Sequence, residues 1–302
     1  MLEVDHVRRS FGPIAAVRDV SFTIPVGSTF GLLGPNGAGK TTTMRMILGI
    51  LAPDGGGVRW DGKPIDARSR RRFGYLPEER GLYGKMKVGA QIAYFARLHG
   101  VDAGAVEART ARWIDDLELG EYADRPCAEL SKGNQQKVQV ACAAVHEPAL
   151  LVLDEPFSGL DPVNAEMLLR NLERLRAKGT TLVLSSHQMW QLETLCERFC
   201  IIAGGETRVA GSLAELRARR PTRLLVVEPA SEPARRILIA IPGAREEPPN
   251  PSAPAELRVR VPVETDLAAV LRALVQTTTV TRFERLEPSL QEIYLNAIGA
   301  AA

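Results

Sequence analysis

A glycine-rich segment that ends in Lys40 and Thr41 is the part of the sequence best suited to chemistry. From position 34 it reads Gly-Pro-Asn-Gly-Ala-Gly-Lys-Thr, which fits G-x-x-x-x-G-K-[ST] between an apolar run and a helical run. Glycines let successive backbone N–H groups turn inward around an anion, and a following helix adds the positive end of its dipole. We predict that Lys40 contacts the β- and γ-phosphates of a nucleoside triphosphate and that the Thr41 hydroxyl ligates Mg²⁺. The candidate binding residues here are Gly34, Pro35, Asn36, Gly37, Ala38, Gly39, Lys40, Thr41 and Thr42.

Two adjacent carboxylates, Asp154 and Glu155, directly follow the apolar run Leu150 to Leu153. A buried strand that ends in charge indicates a site at its carboxyl end, where α/β sheets bind ligands. Asp154 is predicted to hold Mg²⁺ through water. Glu155 is predicted to be catalytic, because a carboxylate can polarise a water for in-line attack on the γ-phosphoryl group.

These groups require a sheet that brings them together, and the sequence before Arg220-Pro221 predicts one. Uninterrupted apolar runs such as Thr181 to Leu184 alternate with helical patterns, which is typical of a parallel sheet buried on both faces. The first sixty residues instead alternate polar and apolar side chains, as half-exposed antiparallel strands do. Residues 85–145 have helical spacing in the segments Val88 to Leu98, Ala105 to Leu117 and Asn134 to Val145, so we predict a helical subdomain there.

A second domain is predicted after the boundary at residue 220. The 302 residues suit about two domains. From 221 to 302 the pattern is strand, helix, Pro-rich loop, strand, helix, strand, helix. We predict a small α+β accessory domain with a ferredoxin-like order, in which residues 246–254 form a loop.

Composition excludes several classes of protein. The chain has 38 Lys and Arg against 36 Asp and Glu, a net charge of +2 that does not indicate a nucleic-acid partner. Prolines and glycines interrupt its longest charge-free stretch, so no membrane span is predicted. Glu3 and Asp5 stand where a signal peptide would be apolar. The four cysteines form no C-x-x-C pair, and we predict neither a disulfide framework nor a zinc site. A cytoplasmic location is therefore expected.

Three further motifs extend the pattern in a fixed order. Leu130 to Lys137 reads LSKGNQQK and resembles the LSGGQ signature, Ser158 to Asp161 resembles a D-loop, and Ser186-His187 resembles a switch histidine. With the phosphate loop and the Asp154-Glu155 strand end, they make residues 1–215 resemble the nucleotide-binding subunit of an ATP-binding cassette (ABC) transporter. The resemblance implies a P-loop NTPase fold of ABC ATPase type, with an antiparallel β subdomain and a helical subdomain.

The resemblance also implies roles for residues that carry little signal alone. Ser131, Gly133 and Asn134, at the start of a predicted helix, would contact the γ-phosphate of ATP held by an opposite subunit, although Ser131 alone reads as a plain helix cap. His187 would hold the γ-phosphate and the attacking water in register with Glu155. Phe11 would stack on adenine; its alternative is a core residue at the end of a strand.

Two motifs depart from the family pattern. Glu78 stands where glutamine is usual in the Q-loop, and its carboxylate is a candidate Mg²⁺ ligand. In the signature, Lys132 replaces the first glycine and Asn134 the glutamine. These departures resemble a subgroup of export-type cassettes related to sodium-extrusion and drug-resistance ATPases, which carry a small domain ending in a segment like Glu287 to Tyr294.

The resemblance implies an ATP-hydrolysing motor for export, with ATP and Mg²⁺ as cofactors. Its partners would be a second copy or a homologous ATPase subunit and an integral-membrane permease, which places the chain on the inner face of the cell membrane. The permease contact is predicted at Phe73, Leu82, Tyr83 and Met86. A soluble ABC protein of translation or DNA repair is the alternative, although the chain has one cassette and no sustained heptads. A P-loop kinase or GTPase would not need the signature.

Overall fold

The computed structural model describes residues 1–79, 81–186 and 188–299. The chain divides into two compact units. The first comprises Met1–Leu213 with the C-terminal segment from Asn296, and the second comprises Ala214–Leu295. Among the described residues, no helix is both long enough and apolar enough to cross a membrane.

The strands of the first unit form one mixed sheet. They are β1 (Leu2–Phe11), β2 (Ile14–Ile24), β3 (Thr29–Leu33), β4 (Gly55–Trp60), β5 (Lys63–Pro64), β6 (Phe73–Leu76), β7 (Leu150–Asp154), β8 (Thr181–Ser185), β9 (Arg198–Ala203) and β10 (Glu206–Ser212). Their order in the sheet is β5-β4-β1-β2-β10-β9-β3-β8-β7-β6.

Strand direction divides this sheet as the sequence patterns predicted. β9, β3, β8, β7 and β6 are parallel neighbours, whereas β5, β4, β1 and β2 pair antiparallel and β10 is antiparallel to β9. Every residue of β3, β7 and β8 is buried, which explains their continuous apolar sequences. The predicted α/β fold with an added antiparallel region is confirmed.

Helices connect these strands. They are α1 (Lys40–Ile47), α2 (Ala67–Arg71), α3 (Val88–Leu98), α4 (Ala103–Asp116), α5 (Lys132–Ala144), α6 (Pro162–Ala177) and α7 (Met189–Leu195), with 3₁₀ turns at Gly120–Tyr122 and Cys127–Glu129. The stretch predicted to be helical contains α3, α4 and α5. α3 packs against both α4 and α5, and α5 also contacts β6. α5 therefore connects the helical region to the parallel sheet.

The second unit has one antiparallel sheet and its own core. Its elements, beginning with a helix that spans the unit boundary, are α8 (Leu213–Ala218), β11 (Thr222–Glu228), α9 (Glu232–Ile239), β12 (Arg245–Glu246), β13 (Leu257–Pro262), α10 (Leu267–Thr277), β14 (Arg282–Leu286) and α11 (Leu290–Ala297). The strand order β12-β13-β11-β14 and the element order β-α-β-β-α-β are ferredoxin-like. Leu225, Val227, Leu238 and Leu274 are among the buried residues that join the sheet to α9 and α10.

One strand of this unit was not predicted. β12 consists only of Arg245 and Glu246, which pair with Arg260 and Val259 of β13. Two exposed charged residues show no alternation, so the sequence offers no strand signal there. The prediction that a loop begins at Glu246 is wrong for that residue.

Candidate nucleotide-binding site

The phosphate loop joins β3 to α1 and requires glycine at two positions. A Cβ atom at Gly34 would lie 2.3 Å from the Ile202 carbonyl oxygen, far inside van der Waals contact. Gly39 has a left-handed φ of +102°, and a Cβ there would lie 2.6 Å from the Ala16 carbonyl oxygen. The loop is thus packed tightly against its neighbours.

Lys40 folds back over this loop. Its Nζ donates hydrogen bonds to the carbonyl oxygens of Gly34 (2.7 Å) and Pro35 (3.1 Å). Burial lowers the pKa of the Lys40 ammonium, and the nearby carboxylates of Glu155, Asp154 and Glu78 oppose that shift. The ammonium is therefore held among acceptors, and phosphate oxygens are suitable partners for it.

The acid pair at the end of β7 is held by two hydroxyl groups. Thr41 Oγ1 donates to Asp154 Oδ2 at 2.7 Å, and Ser185 Oγ donates to Asp154 Oδ1 at 2.5 Å. Ser185 Oγ also accepts the backbone N–H of Glu155 at 3.2 Å. Glu155 has a left-handed φ of +54°, a rare conformation for a residue with a side chain. Sequence reasoning missed Ser185, which ends a neighbouring strand in the same way as Asp154.

The oxygen donors at this edge of the sheet fit a magnesium ion. The Thr41 hydroxyl and the Asp154 carboxylate are in contact, and Glu78 lines the same pocket. Mg²⁺ prefers hard oxygen ligands and is usually held by one or two protein groups together with substrate phosphates and water. Within the described residues, no cluster of three or more His, Cys, Asp or Glu could hold a metal alone. Phosphate and water would therefore have to complete the coordination.

A pocket of about 480 Å³ brings these groups together. The predicted residues that line it are Phe11, Asn36, Gly37, Ala38, Gly39, Lys40, Thr41, Thr42, Glu78, Asp154 and Glu155. Gly34 and Pro35 take part only through the carbonyl oxygens that hold Lys40. Ile14, Ala15 and Ala16, at the start of β2, also line the pocket. Their only signal in the sequence is their position just after Phe11.

The signature segment lies outside that pocket, since Ser131, Gly133 and Asn134 are absent from the described residues that line it. Ser131 is the N-cap of α5, and its Oγ accepts the Asn134 N–H at 3.3 Å. The Gln136 side-chain amide donates to the carbonyl oxygens of Pro156 (2.9 Å) and Glu155 (3.4 Å). Sequence reasoning gave Gln136 no role, yet it ties the signature helix to the turn that carries Glu155. The predicted switch residue, His187, lies outside the described residues.

Comparison with known proteins decides the family. Residues 17–158 match the ABC transporter family, and residues 211–298 match the family described as "ATP-binding protein DrrA1-3-like, C-terminal domain". The chain is 40% identical over 301 residues to the uncharacterized ABC transporter ATP-binding protein YhaQ of Bacillus subtilis (strain 168), covering 99% of both chains. This chain belongs to the ABC transporter family, as an ATP-binding subunit.

Two further comparisons agree with this assignment. The chain is 39% identical over 218 residues to the Nod factor export ATP-binding protein I of Paraburkholderia xenovorans (strain LB400), covering 71% of this chain and 72% of that protein. A solved ATP-binding subunit of an ABC transporter superposes with a TM-score of 0.68 at 32% identity, covering 72% of this chain and 92% of that one. The ABC cassette fold predicted from the motifs is confirmed.

The aromatic residue of the cassette, Phe11, is exposed at the pocket. Its exposed fraction of 48% excludes the alternative that it is a core residue. The Arg9 guanidinium lies 5.1 Å from the centre of the Phe11 ring, and Arg9 Nη1 donates to Asp54 Oδ1 at 2.6 Å. Arg9 thus supports the ring by a cation–π contact while an ion pair holds Arg9 itself.

Removing the Phe11 ring is expected to weaken ATP binding. A base stacked on an aromatic side chain gains about 1–3 kcal/mol, so Phe11→Ala should raise the Kd for ATP by roughly 5- to 150-fold. Equilibrium binding of ATP by the full chain measures this. Leu98→Ala, which truncates an exposed apolar side chain outside the pocket, is the control and should leave the Kd unchanged. Equal affinities for wild type and Phe11→Ala would remove Phe11 from the nucleotide site.

One residue predicted to contact a permease, Phe73, does not lie on the surface. Phe73 is only 4% exposed and packs edge-on against Trp60, with ring centroids 5.4 Å apart, because it lies on the buried strand β6. It belongs to the core of the cassette, and its predicted surface role is wrong. Tyr83 is exposed instead, and its ring contacts the rings of Tyr94 at 5.9 Å and Phe95 at 6.4 Å. We name this group, Tyr83, Tyr94 and Phe95, the aromatic surface.

Proposed function

We propose that this subunit hydrolyses ATP and that hydrolysis drives export through a separate membrane permease. One observation carries the proposal: Lys40, Thr41, Asp154 and Glu155 converge on one pocket from two separate segments of the chain. Such a set of groups matches the needs of phosphoryl transfer, in which positioning and charge stabilisation do most of the catalytic work.

Each group has a distinct part in the proposed reaction. Backbone N–H groups of the phosphate loop and the Lys40 ammonium bind the phosphates and neutralise the charge that develops on the γ-phosphoryl oxygens. The Glu155 carboxylate orients the attacking water and accepts its proton. Ser185 keeps the strand end in position through Asp154 and the Glu155 N–H. A magnesium ion, held by Thr41 and Asp154 with Glu78 near by, would supply charge neutralisation between the phosphates.

A second copy or a homologous subunit completes each site in this proposal. The capped start of α5 presents the Ser131 hydroxyl and helix N–H groups, an arrangement suited to binding an anion. Within one chain the described lining of the pocket does not include that helix start. We infer that the helix start binds the γ-phosphate held by a partner, so that two ATP molecules lie between two subunits. His187 of the sequence motif would contact the same phosphate.

Export and membrane attachment are inferred together. The relative from Paraburkholderia xenovorans is described as an export ATP-binding protein, and this chain matches 72% of it. The aromatic surface supplies exposed apolar area of the kind that contributes strongly to protein contacts, and Leu82 lies beside it in sequence. We assign the aromatic surface as the permease contact, which would hold the chain on the inner face of the cell membrane. In this proposal residues 1–220 are the motor and 221–302 are an accessory domain.

Site-specific crosslinking tests the permease contact. A photoreactive residue at Tyr83 of the full chain, expressed in its own host, should capture an integral-membrane protein with several spans, and Tyr83→Asp combined with Tyr94→Asp should release most of the chain from the membrane fraction. A photoreactive residue at Ile50, which is 59% exposed and lies three residues after α1, should not capture that protein. Capture of ribosomal or DNA-bound proteins at Tyr83 would instead favour the soluble ABC alternative.

A further inference from the structure

The second unit contains a pocket at one end of its sheet. β11 is antiparallel to both β13 and β14, so its first residues lie beside the last residues of those strands. The pocket has a volume of about 430 Å³, and its lining residues within the described part of the chain lie between Ala214 and Pro288. Its charged lining residues are Arg217, Arg220, Arg223, Arg285 and Glu287. The pocket lining therefore contains four guanidinium groups and one carboxylate.

Strand register places two of these arginines on the same face of the sheet. Arg223 precedes Leu225 and Val227 at alternate positions of β11, so the three share one face. Arg285 is the cross-strand partner of Leu225 and thus lies on that face too. Arg285 forms an ion pair with Glu287 at 2.7 Å. The one carboxylate among the described lining residues is therefore already paired with Arg285.

Backbone carbonyls hold two other arginines in place. Arg217 Nε donates to the Pro288 carbonyl oxygen at 2.9 Å. Arg220 Nη2 donates to the Glu292 carbonyl oxygen at 3.0 Å. These hydrogen bonds restrict the positions of both side chains. The guanidinium groups are thus preorganised, which lowers the entropy lost when they bind a ligand.

Two further observations concern the charged groups of Arg223 and Arg220. Arg223 Nε is buried and has no hydrogen-bond partner within the described part of the chain. Burial lowers the pKa of the Arg220 guanidinium, the like charge of Arg260 lowers it further, and only Glu292 opposes these effects. Buried polar groups are normally paired, and an uncompensated buried charge is strongly unfavourable. Arg223 thus keeps an unpaired polar atom, and the lining carries more positive than negative charge.

We propose that this pocket binds a phosphate ester whose organic part is apolar. Planar guanidinium groups match the oxygens of a phosphate, and several converging arginines favour it over a singly charged anion. The remaining space is bordered by side chains without charge, which suit a short hydrocarbon: Ala214, Ala218, Val263 and Pro288. Two sources share this chemistry, the headgroup region of an anionic phospholipid and a soluble organic phosphate.

Calorimetry with hexyl phosphate tests the site in the full chain, with saturating Mg²⁺ and ADP to occupy the phosphate loop. We expect binding that Arg223→Gln with Arg285→Gln weakens at least 10-fold. Arg285→Gln alone, at a side chain that is 52% exposed, should weaken it measurably and provides a variant whose folding is not at risk. The control, Arg236→Gln with Arg272→Gln, removes the same charge from two exposed arginines of α9 and α10 and should bind as wild type does.

Vesicle flotation distinguishes the two sources. Binding of the full chain to vesicles containing phosphatidylglycerol, but not to phosphatidylcholine vesicles, together with its loss in the pocket variants, supports a lipid headgroup. Binding of hexyl phosphate without binding to either vesicle supports a soluble phosphate ester. The proposal is overturned if hexyl phosphate does not bind, if hexanoate binds as tightly, or if the control pair weakens binding equally. None of these outcomes depends on ATP hydrolysis or on a permease.

Discussion

A Glu155→Gln variant should hydrolyse ATP about 10²- to 10⁴-fold more slowly than the wild-type chain, because it loses a general base while keeping the shape of the side chain. ATP binding should be unchanged, since Lys40 and the phosphate loop are intact. Backbone contacts at this position do not involve the carboxylate: the residue 155 N–H donates to Ser185, and its carbonyl accepts from Gln136. Phosphate release at saturating ATP and equilibrium binding of ATP measure the two properties separately.

The same variant should accumulate an ATP-dependent dimer, because the nucleotide that joins two subunits is no longer consumed. Mass photometry with and without ATP would detect it. Glu107→Gln makes the same chemical change at an exposed position of α4 and should leave turnover and oligomeric state as in the wild type. Wild-type turnover by Glu155→Gln would remove Glu155 from the catalytic role, and a dimer that forms without ATP would separate dimerisation from the nucleotide.

A Ser131→Asp variant is expected to lose ATP turnover by about 10²-fold or more, because it replaces a neutral donor with a negative charge facing a phosphate. Aspartate is as good a helix N-cap as serine, so α5 should keep its start and the chain its stability. Binding of ATP to a single subunit should also persist, since residue 131 lies outside the described lining of the pocket. Turnover, ATP binding and thermal unfolding of the full chain measure these three properties.

A matched control exists in the second unit. Ser231 caps α9 and accepts the Ala234 N–H at 3.3 Å, the same distance as in the Ser131 cap. Ser231→Asp should therefore leave turnover unchanged. Mixing Ser131→Asp with an inactive Lys40→Ala variant should restore activity, because one of the two sites in a mixed dimer then pairs an intact Lys40 with an intact Ser131. No recovery on mixing would contradict a site shared between subunits.

Local patterns in the sequence predicted the elements that depend on near neighbours. α3 has the predicted bounds Val88–Leu98, because helical periodicity is visible within a few residues. The same patterns failed for β12, whose two residues are too few to show a period. They also failed for Phe73. An apolar side chain looks the same in the sequence whether it is buried or exposed, and only its neighbours in the fold show which it is.

The sequence by itself determined the place of the candidate phosphate loop, since its glycines, Lys40 and Thr41 are contiguous and their spacing alone matches the motif. Tertiary structure decided which distant groups join them. Thr41 and Asp154 are separated by 113 positions and meet because β3 and β7 both pair with β8 in the sheet. The pocket in the second unit, with its four arginines, likewise forms where the ends of three strands lie side by side. Spacing along the chain does not encode such contacts; the packing of distant elements creates them.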